Sequence, residues 1–211
     1  MFLSKQLVLP PAQSSPSVEP ITLGTLKDIC DRDVARLTAD ITNTPLPEGI
    51  HTRLAFLPSY EQACWHLEAE DFVASKLFPS PPRKPTVKGA IAGSTWGYWV
   101  RHFNGNILIF LRLVPGPVST PEEEARTKLE TAQVLMAAQH EAAEWGLEKV
   151  IVWNPDPVVE AACQHVNVPG ENPTIQQRGA SVPCLRWKGG EGENLVEKGI
   201  EWVAAERYCW C

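Results

Sequence analysis

The sequence lacks the features that identify a membrane, nucleic-acid-binding or secreted protein. No apolar run approaches the roughly 20 residues that a membrane helix needs, and the short N-terminal stretch "MFLSKQLVL" ends at Pro10 and Pro11, unlike a secretory signal. The net charge is −6, and the densest basic cluster, Arg83, Lys84 and Lys88, is interrupted by proline. Nucleic-acid binding needs a basic stripe. We therefore expect a cytoplasmic protein that binds neither nucleic acid nor membrane.

Paired cysteines are also missing. The six cysteines are scattered along the chain, and none belongs to a Cys-x-x-Cys pair. This spacing is not typical of a disulfide framework or of a zinc site. The sequence therefore predicts reduced thiols and no bound metal.

The chain does contain enough apolar material for one domain. Of its 211 residues, 44% are hydrophobic and 21% are charged, which is typical of a globular domain and not of a disordered chain. Residues 1–20 are rich in proline and serine, and we expect an extended arm there. Residues 21–211 are expected to form one domain, with a helical part at about 21–80 and a sheet part at about 87–211.

Three segments have the apolar periodicity of helices. In "TLKDICDRDVARLTADI" the apolar residues fall near one face, and the aspartates and arginines fall on the other. The second helix is expected to begin at Ser59, which has the spacing of a capping box with Gln62. The third follows Thr120 and Pro121 and ends at Gly146, because glycine readily adopts the left-handed conformation that stops a helix.

Strands are predicted in the middle and at the end of the chain. "GYWVRHF" and "NILIFLRLV" flank Asn104 and Gly105, which predicts a two-residue hairpin turn. "KVIVW" is predicted as a buried strand, "PVVEAACQHV" as a short helix, and "SVPCLRWK" and "EWVAAERYCWC" as the last two strands. This order predicts an α/β fold: a mixed sheet flanked by helices, with a helical N-terminal region. The step across residues 107–153 should be a right-handed parallel crossover.

Several stretches resemble a known family. "WHLEAEDFVASKL", "KGAI", "ILIFLRLV", "AAQHEAAEWGLEKVIVWNPDP" and "WVAAERYCWC" are similar to the C-terminal half of the fungal lysine N-acetyltransferases, and "LKDICDRDVARL" is similar to the stretch that opens that half. The resemblance implies the GNAT fold of the Gcn5-related N-acetyltransferases. It also implies acetyl transfer from acetyl-CoA to the side-chain amine of free lysine, an early step in lysine degradation. Family members carry a preceding GNAT half, which is therefore an expected partner.

The phosphate-binding loop of the GNAT pattern is not found. GNAT enzymes bind the pyrophosphate of the cofactor with an Arg/Gln-x-x-Gly-x-Gly/Ala loop, whose backbone N–H groups and following helix N-terminus face the phosphates. The corresponding segment here is "RLVPGPVSTPEEE", with one glycine, three prolines that have no N–H group and three glutamates that repel phosphate. The sequence therefore predicts no cofactor-binding residue in this chain, and acetyl-CoA is implied by the resemblance alone.

The general acid of the GNAT pattern is not found either. Many GNAT enzymes protonate the leaving thiolate with a tyrosine on the short helix after the next strand. That helix reads "VVEAACQHV" here, with Cys163 and His165 as the two alternatives. The catalytic residues are therefore left unassigned, and activity of the isolated chain is left open.

One group of candidate substrate-binding residues lies on the second helix. Trp65, His66 and Glu68 combine an aromatic ring with a carboxylate, and both attract the ammonium group of a lysine-like substrate. The alternative is a solvated acidic helix face with one buried tryptophan.

A second group lies on neighbouring strands. Trp99, Arg101 and Arg112 are expected to share a face, where an arginine binds the substrate carboxylate through two parallel hydrogen bonds. The alternative is a packed tryptophan beside a surface salt bridge.

The remaining candidates end the "KVIVW" strand and the chain. Trp153 and Asn154 lie at the end of a strand, where open α/β sheets bind ligands. A simple Asn-Pro turn is the alternative. Tyr208 and Cys211 belong either to the core or, through the carboxylate of Cys211, to a substrate cleft.

These observations lead to two hypotheses of function. In the first, the chain is the C-terminal GNAT-like domain of a lysine N-acetyltransferase-like protein and shapes the acceptor site for acetyl transfer to an amine. Its partner is then an N-terminal GNAT half or a second copy of the chain. In the second, the chain is a non-catalytic interaction module that has kept the GNAT fold.

Overall fold

The computed structural model describes residues 5–13, 16–80, 83–166, 172–178 and 199–209. Within them the strands are Lys5–Leu9 (β1), Glu19–Ile21 (β2), Thr52–Leu54 (β3), Gly89–Ala92 (β4), Thr95–His102 (β5), Ile107–Val114 (β6), Lys149–Trp153 (β7), Thr174–Gln177 (β8) and Ile200–Trp202 (β9). The α-helices are Leu23–Asn43 (α1), Tyr60–Leu77 (α2), Pro121–Glu144 (α3) and Pro157–Ala162 (α4). Short 3₁₀ turns cover Phe103–Gly105, Cys163–His165 and Arg207–Cys209.

The main sheet has seven strands in the order β2-β4-β5-β6-β7-β1-β8. Only the β6–β7 pair is parallel, and the other five pairs are antiparallel. The predicted mixed sheet and the parallel crossover through α3 are both confirmed. A small second sheet pairs β3 with β9.

Helices cover the two faces of the main sheet and divide the core in two. Helices α3 and α4 cover one face, where the buried side chains include Trp99, Leu108, Phe110, Leu135, Val152 and Val159. Helices α1 and α2 cover the other, where the buried side chains include Leu26, Leu67, Tyr98, Leu111, Trp153 and Tyr208. None of the helices within the described residues is long and apolar enough to cross a membrane.

The predicted helix ends are confirmed where local chemistry determines them. The Ser59 hydroxyl accepts the backbone N–H of Gln62, and the Thr120 hydroxyl accepts the backbone N–H of Glu123. Each side chain satisfies a donor that the helix leaves free, which favours a start at that residue. Gly146 follows α3 with a φ of +67°, as a left-handed stop requires.

Two predictions about the strands are wrong. The sequence predicts an extended arm at residues 1–20. Instead, β1 lies inside the main sheet between β7 and β8, and β2 forms the edge of the sheet that is opposite to β8. The hairpin is also longer than the predicted two residues: a 3₁₀ turn at Phe103–Gly105 is followed by Asn106, whose φ of +52° allows the chain to reverse. Strand β1 forms because it pairs with β7 and β8, which are distant in the sequence. The residue pattern of the N-terminal segment alone does not predict such a pairing.

The end of the chain also differs from the prediction. The strand expected at residues 201–211 is limited to β9, and it pairs with β3 instead of joining the main sheet. After β9 the chain forms the Arg207–Cys209 turn, and Tyr208 of this turn packs in the core on the face of the sheet that α1 and α2 cover. The strand predicted at "SVPCLRWK" lies outside the described residues.

A buried ionic cluster fixes α2 and α3 to strand β5. Glu70 of α2 accepts hydrogen bonds from the side chains of Lys88 and Arg101 and from the backbone N–H of Arg101 at 2.6 Å. Arg101 also pairs with Glu141 of α3. Glu70 thereby satisfies a strand N–H and neutralises buried positive charge.

Replacing Glu70 by alanine should destabilise the domain by about 3–5 kcal/mol, because it leaves Lys88 with less compensation in a buried site and removes one partner of Arg101. Urea unfolding would measure this loss. Glu68→Ala is the matched control, since Glu68 is exposed on the same helix, and it should change the free energy of unfolding by less than about 0.5 kcal/mol. Equal effects of the two substitutions would contradict the assignment.

Candidate functional site

The parallel strands β6 and β7 separate part of the way along the sheet. They are paired at three positions, ending with Ile109 and Ile151. Strand β6 then continues to Val114 without a β7 partner, and β7 ends at Trp153. The space between them, here called the β6–β7 cleft, lies at the carboxyl ends of the strands, where open α/β sheets bind ligands.

Residues 204–209, here called the closing segment, fill the β6–β7 cleft. On the β6 side, the Glu206 carboxylate accepts the backbone N–H of Leu113 at 2.8 Å. On the β7 side, the Asn154 side-chain amide donates to the carbonyl of Ala205. The segment therefore takes a β6 backbone donor that an extended ligand would otherwise meet.

Arg112 ties this segment to helix α1. Its guanidinium binds the Asp33 carboxylate through Nε at 2.8 Å and Nη2 at 3.2 Å, and it donates through Nη1 to Glu206. Burial by itself lowers the pKa of Arg112, but the charges of Glu206 and Asp33 outweigh it and raise the pKa above its usual value. Arg112 is therefore a permanent cation that holds two carboxylates from distant parts of the chain.

The predicted position of Asp33 is wrong. The helix pattern places it with the other aspartates of α1 on the polar face, but its side chain is buried and only 1% exposed. The signal was present: Asp33 is four residues after Ile29 and four before Leu37, both of which are buried, so it lies on the apolar face.

Tyr208 anchors the closing segment from within. Its side chain is fully buried, and its hydroxyl lies 2.6 Å from the Phe56 carbonyl and 3.0 Å from the Ala204 carbonyl. The backbone carbonyl of Tyr208 lies 3.2 Å from Nε2 of His66 on α2. Since a carbonyl oxygen only accepts hydrogen bonds, this contact requires the proton on Nε2.

Trp153 and Asn154 form the β7 side of the cleft. The guanidinium carbons of Arg178 and Arg207 lie 4.0 Å and 5.1 Å from the centre of the Trp153 ring, so two cations face one aromatic side chain. Asn154 has a φ of +48°, and its Oδ1 is buried without a hydrogen-bond partner. An asparagine tolerates this backbone conformation better than most residues.

The structure brings five of the ten predicted substrate-binding residues together around the closing segment: His66, Arg112, Trp153, Asn154 and Tyr208. Arg178, Asp33 and Glu206 share this site and were not predicted. Their partners are distant in sequence, so no local pattern marks them, apart from the spacing of Asp33.

The other predicted residues lie elsewhere. Trp65 is 61% exposed and Glu68 is exposed, so neither lines the cleft. Trp99 and Arg101 pack toward α3, where Trp99 contacts Phe110 and Arg101 binds Glu141. Cys211 lies outside the described residues.

The prediction that Trp99, Arg101 and Arg112 share a face is wrong. Arg112 pairs across the strands with Tyr98, whereas Trp99 pairs with Phe110. The pairing register shifts between Tyr98 and Trp99 and passes over Leu111. Paired residues lie on the same face, so this shift lets Arg112 face α1, whereas Phe110, two residues earlier, packs with Trp99 on the α3 face. Arg101 follows Trp99 by two residues without a shift and shares its face.

A cavity of about 230 Å³ lies on the α3 face of the sheet. Its lining includes Val18, Trp99, His140 and Glu141. Trp99 Nε1 and His140 Nδ1 are buried without a hydrogen-bond partner. The cavity is lined by apolar and charged side chains together, and it lies apart from the cleft.

The segment before α3 does not fit a pyrophosphate. The Gly116 N–H donates to the Thr95 hydroxyl at 3.0 Å, and the Ser119 N–H donates to the Glu123 carboxylate at 2.9 Å. Pro115 and Pro117 have no N–H to offer. Two of the segment's N–H donors are thus engaged by the protein's own side chains, beside a helix turn with three glutamates.

Neither alternative general acid lies in a catalytic setting. The Cys163 thiol donates to the Val159 carbonyl at 3.2 Å, and burial raises its pKa to about 11. It therefore stays protonated and hydrogen-bonded within its own helical turn. His165 is exposed on the 3₁₀ turn that follows α4.

Protonation of His66 should loosen the closing segment at acid pH. Burial lowers the pKa of His66, and the charge of Arg207 lowers it further. The hydrogen bond to the Tyr208 carbonyl raises the pKa but does not outweigh these two effects. Below about pH 6.5 the unfolded chain binds a proton more readily than the folded chain. The stability that neutral His66 contributes is therefore present above that pH and is lost as the pH falls through the lowered pKa.

Unfolding free energies measured against pH would check this. The difference between the native chain and His66→Gln should shrink as the medium is acidified. His165→Gln, at an exposed histidine, is the control and should leave the pH profile unchanged. A difference that stays constant with pH would argue against a role for His66 protonation.

The comparisons with known proteins agree with this architecture. The family model of the LYC1 GNAT-like C-terminal domain matches residues 6–211. A search of curated proteins found no match. Because the match spans nearly the whole chain, the protein belongs to the LYC1 GNAT-like C-terminal domain family, within the GNAT acetyltransferases.

Proposed function

We propose that this domain is the acceptor-side half of an acetyltransferase that transfers an acetyl group from acetyl-CoA to an amine such as the side chain of lysine. In this proposal a separate GNAT half binds the cofactor. This domain shapes the acceptor site and stabilises its partner.

The observation that carries the proposal is that the β6–β7 cleft is filled by the closing segment. Glu206 occupies the Leu113 N–H, and Tyr208 is fully buried beside it. An extended cofactor arm would have to displace a buried arginine–carboxylate cluster to enter. Breaking such a cluster costs several kcal/mol, about 3–5 for one buried ion pair.

The segment before α3 supports the same division of labour. Its Gly116 and Ser119 N–H groups are engaged internally, and Glu122 and Glu124 add negative charge where phosphates would lie. GNAT domains in general bind acetyl-CoA, so this half is proposed to have given up cofactor binding while keeping the fold.

The isolated chain should neither bind acetyl-CoA at micromolar concentration nor acetylate L-lysine. Calorimetric titration with acetyl-CoA and an assay for released CoA thiol would check both. Glu122→Ala combined with Glu124→Ala should not restore binding, because the internal hydrogen bonds of Gly116 and Ser119 remain. Micromolar binding or turnover by the native chain would contradict the proposal.

The exposed aromatic side chains of α2 favour a second candidate function, an interaction module without chemistry. Trp65 is 61% exposed and Phe72 is 64% exposed. They are seven residues apart and therefore lie on one helix face. The partner in this second proposal is another copy of the chain.

Sedimentation velocity would test self-association. If α2 mediates it, the native chain should dimerise at micromolar concentration, and Trp65→Ser with Phe72→Ser should return it to a monomer without a loss of thermal stability, because both side chains are already exposed. Leu129→Ser, at an exposed leucine on α3, is the matched control. A native chain that stays monomeric would count against the interaction module.

A further inference from the structure

Arg178 is a buried arginine whose guanidinium has no hydrogen-bond partner. It directly follows β8 and is 5% exposed. All three of its nitrogen atoms, Nε, Nη1 and Nη2, are buried and unpartnered. A guanidinium has five N–H donors and stays charged in proteins, so burying it without an anion is strongly unfavourable.

No carboxylate of the described residues compensates this charge. Among the ion pairs between described residues, none involves Arg178. Its nearest charged neighbour over the Trp153 ring is a second cation, Arg207. Burial lowers the pKa of Arg178; the nearby Cys209 thiol acts in the opposite direction and the charge of Arg207 in the same direction. The Arg178 guanidinium is therefore uncompensated by any described carboxylate, and this favours the binding of an anion.

Trp153 and Asn154 supply the rest of a binding site. The Arg178 guanidinium carbon lies 4.0 Å from the centre of the Trp153 ring, which supports the guanidinium from one side and leaves its N–H groups directed along its plane. The neighbouring Asn154 uses its amide nitrogen for the Ala205 carbonyl, so its Oδ1 is a buried, unused acceptor.

We propose that Arg178, supported by the Trp153 ring, forms a carboxylate-binding site for a small molecule, with Asn154 Oδ1 accepting an N–H of the same ligand. A carboxylate matches the planar fork of a guanidinium through two parallel hydrogen bonds. A carboxylate next to an N–H donor is the arrangement found in an α-amino acid. The inference rests on the proposed function in one respect, because an α-amino acid is the class of its amine acceptor, but the observation that carries it is the unpaired guanidinium.

Strand β8 offers a route to this site. It lies at the edge of the main sheet as the structure describes it, pairs with β1, and exposes all four of its residues. Edge elements with few buried contacts open locally at small free-energy cost. Opening of β8 would uncover Arg178 without disturbing the Arg112 cluster.

Matched amino acids and amides would test the ligand class. The full chain is titrated calorimetrically with L-lysine, L-leucine and L-glutamate, and with the α-amide of each, which differs only in the α-carboxylate. At least one amino acid should bind, and its amide should bind at least tenfold more weakly. Binding by none of the three, or equal binding of acid and amide, would overturn the proposal. Inorganic phosphate that binds as tightly as the best amino acid would also overturn it.

Variants of Arg178 would locate the site. Arg178→Met should weaken binding of that amino acid at least tenfold and, without ligand, should raise the melting temperature or leave it unchanged, because an unpaired buried charge is gone. Arg32→Met, at an exposed arginine of α1, should change neither quantity. A clear drop in melting temperature for Arg178→Met would reveal a structural partner and contradict the proposal.

Arg178→Lys keeps the charge and loses the planar fork, so it decides the case if the methionine variant does not fold. It should retain the fold and still bind at least tenfold more weakly than the native chain. Unchanged affinity in this variant would show that the ligand lies elsewhere. None of these results depends on acetyl-CoA, so the carboxylate site and the proposed function fail separately.

Discussion

The Arg112 guanidinium is the interaction on which the rest of the site depends. It lies on β6, receives Asp33 from α1, and receives Glu206 from the closing segment. A buried arginine with two carboxylates is stable only if all three groups stay in place, because the loss of any one leaves charge uncompensated. The position of α1 and the filling of the β6–β7 cleft are therefore coupled through Arg112. An opened cleft would require a different partner for Arg112.

The neighbouring strand β5 is connected to its helices by the same kind of interaction. Glu70 binds Lys88 and Arg101, and Glu141 binds Arg101 from the α3 side. Both clusters connect a helix to a strand through charges that are buried and paired. The net stability that such pairs add is small, because the cost of removing both charges from water offsets much of their attraction. They connect α1 to β6 and connect α2 and α3 to β5.

The sequence predicts what local chemistry determines and misses what distant residues decide. The starts of α2 and α3 follow from Ser59 and Thr120, and β7 follows from its apolar run. The place of β1 in the sheet and the fold of the closing segment depend on partners elsewhere in the chain. Alternating aromatic residues near Tyr208 predict a strand, but burial of Tyr208 and the ion pair of Glu206 give a compact turn instead. The Asp33–Arg112 pair joins residues 79 positions apart, which no periodicity reveals.

The buried arginines Arg101, Arg112 and Arg178 show where this fold departs from its own rule. The first two are each bound by two carboxylates. The third has no hydrogen-bond partner and lies over the Trp153 ring. The other two buried guanidinium groups are each paired with two carboxylates of the same chain, so the lack of such a pair at Arg178 is an exception within this fold. Natural proteins keep uncompensated buried groups chiefly where function needs them. Arg178 is therefore the position where the structure is completed by a molecule other than itself.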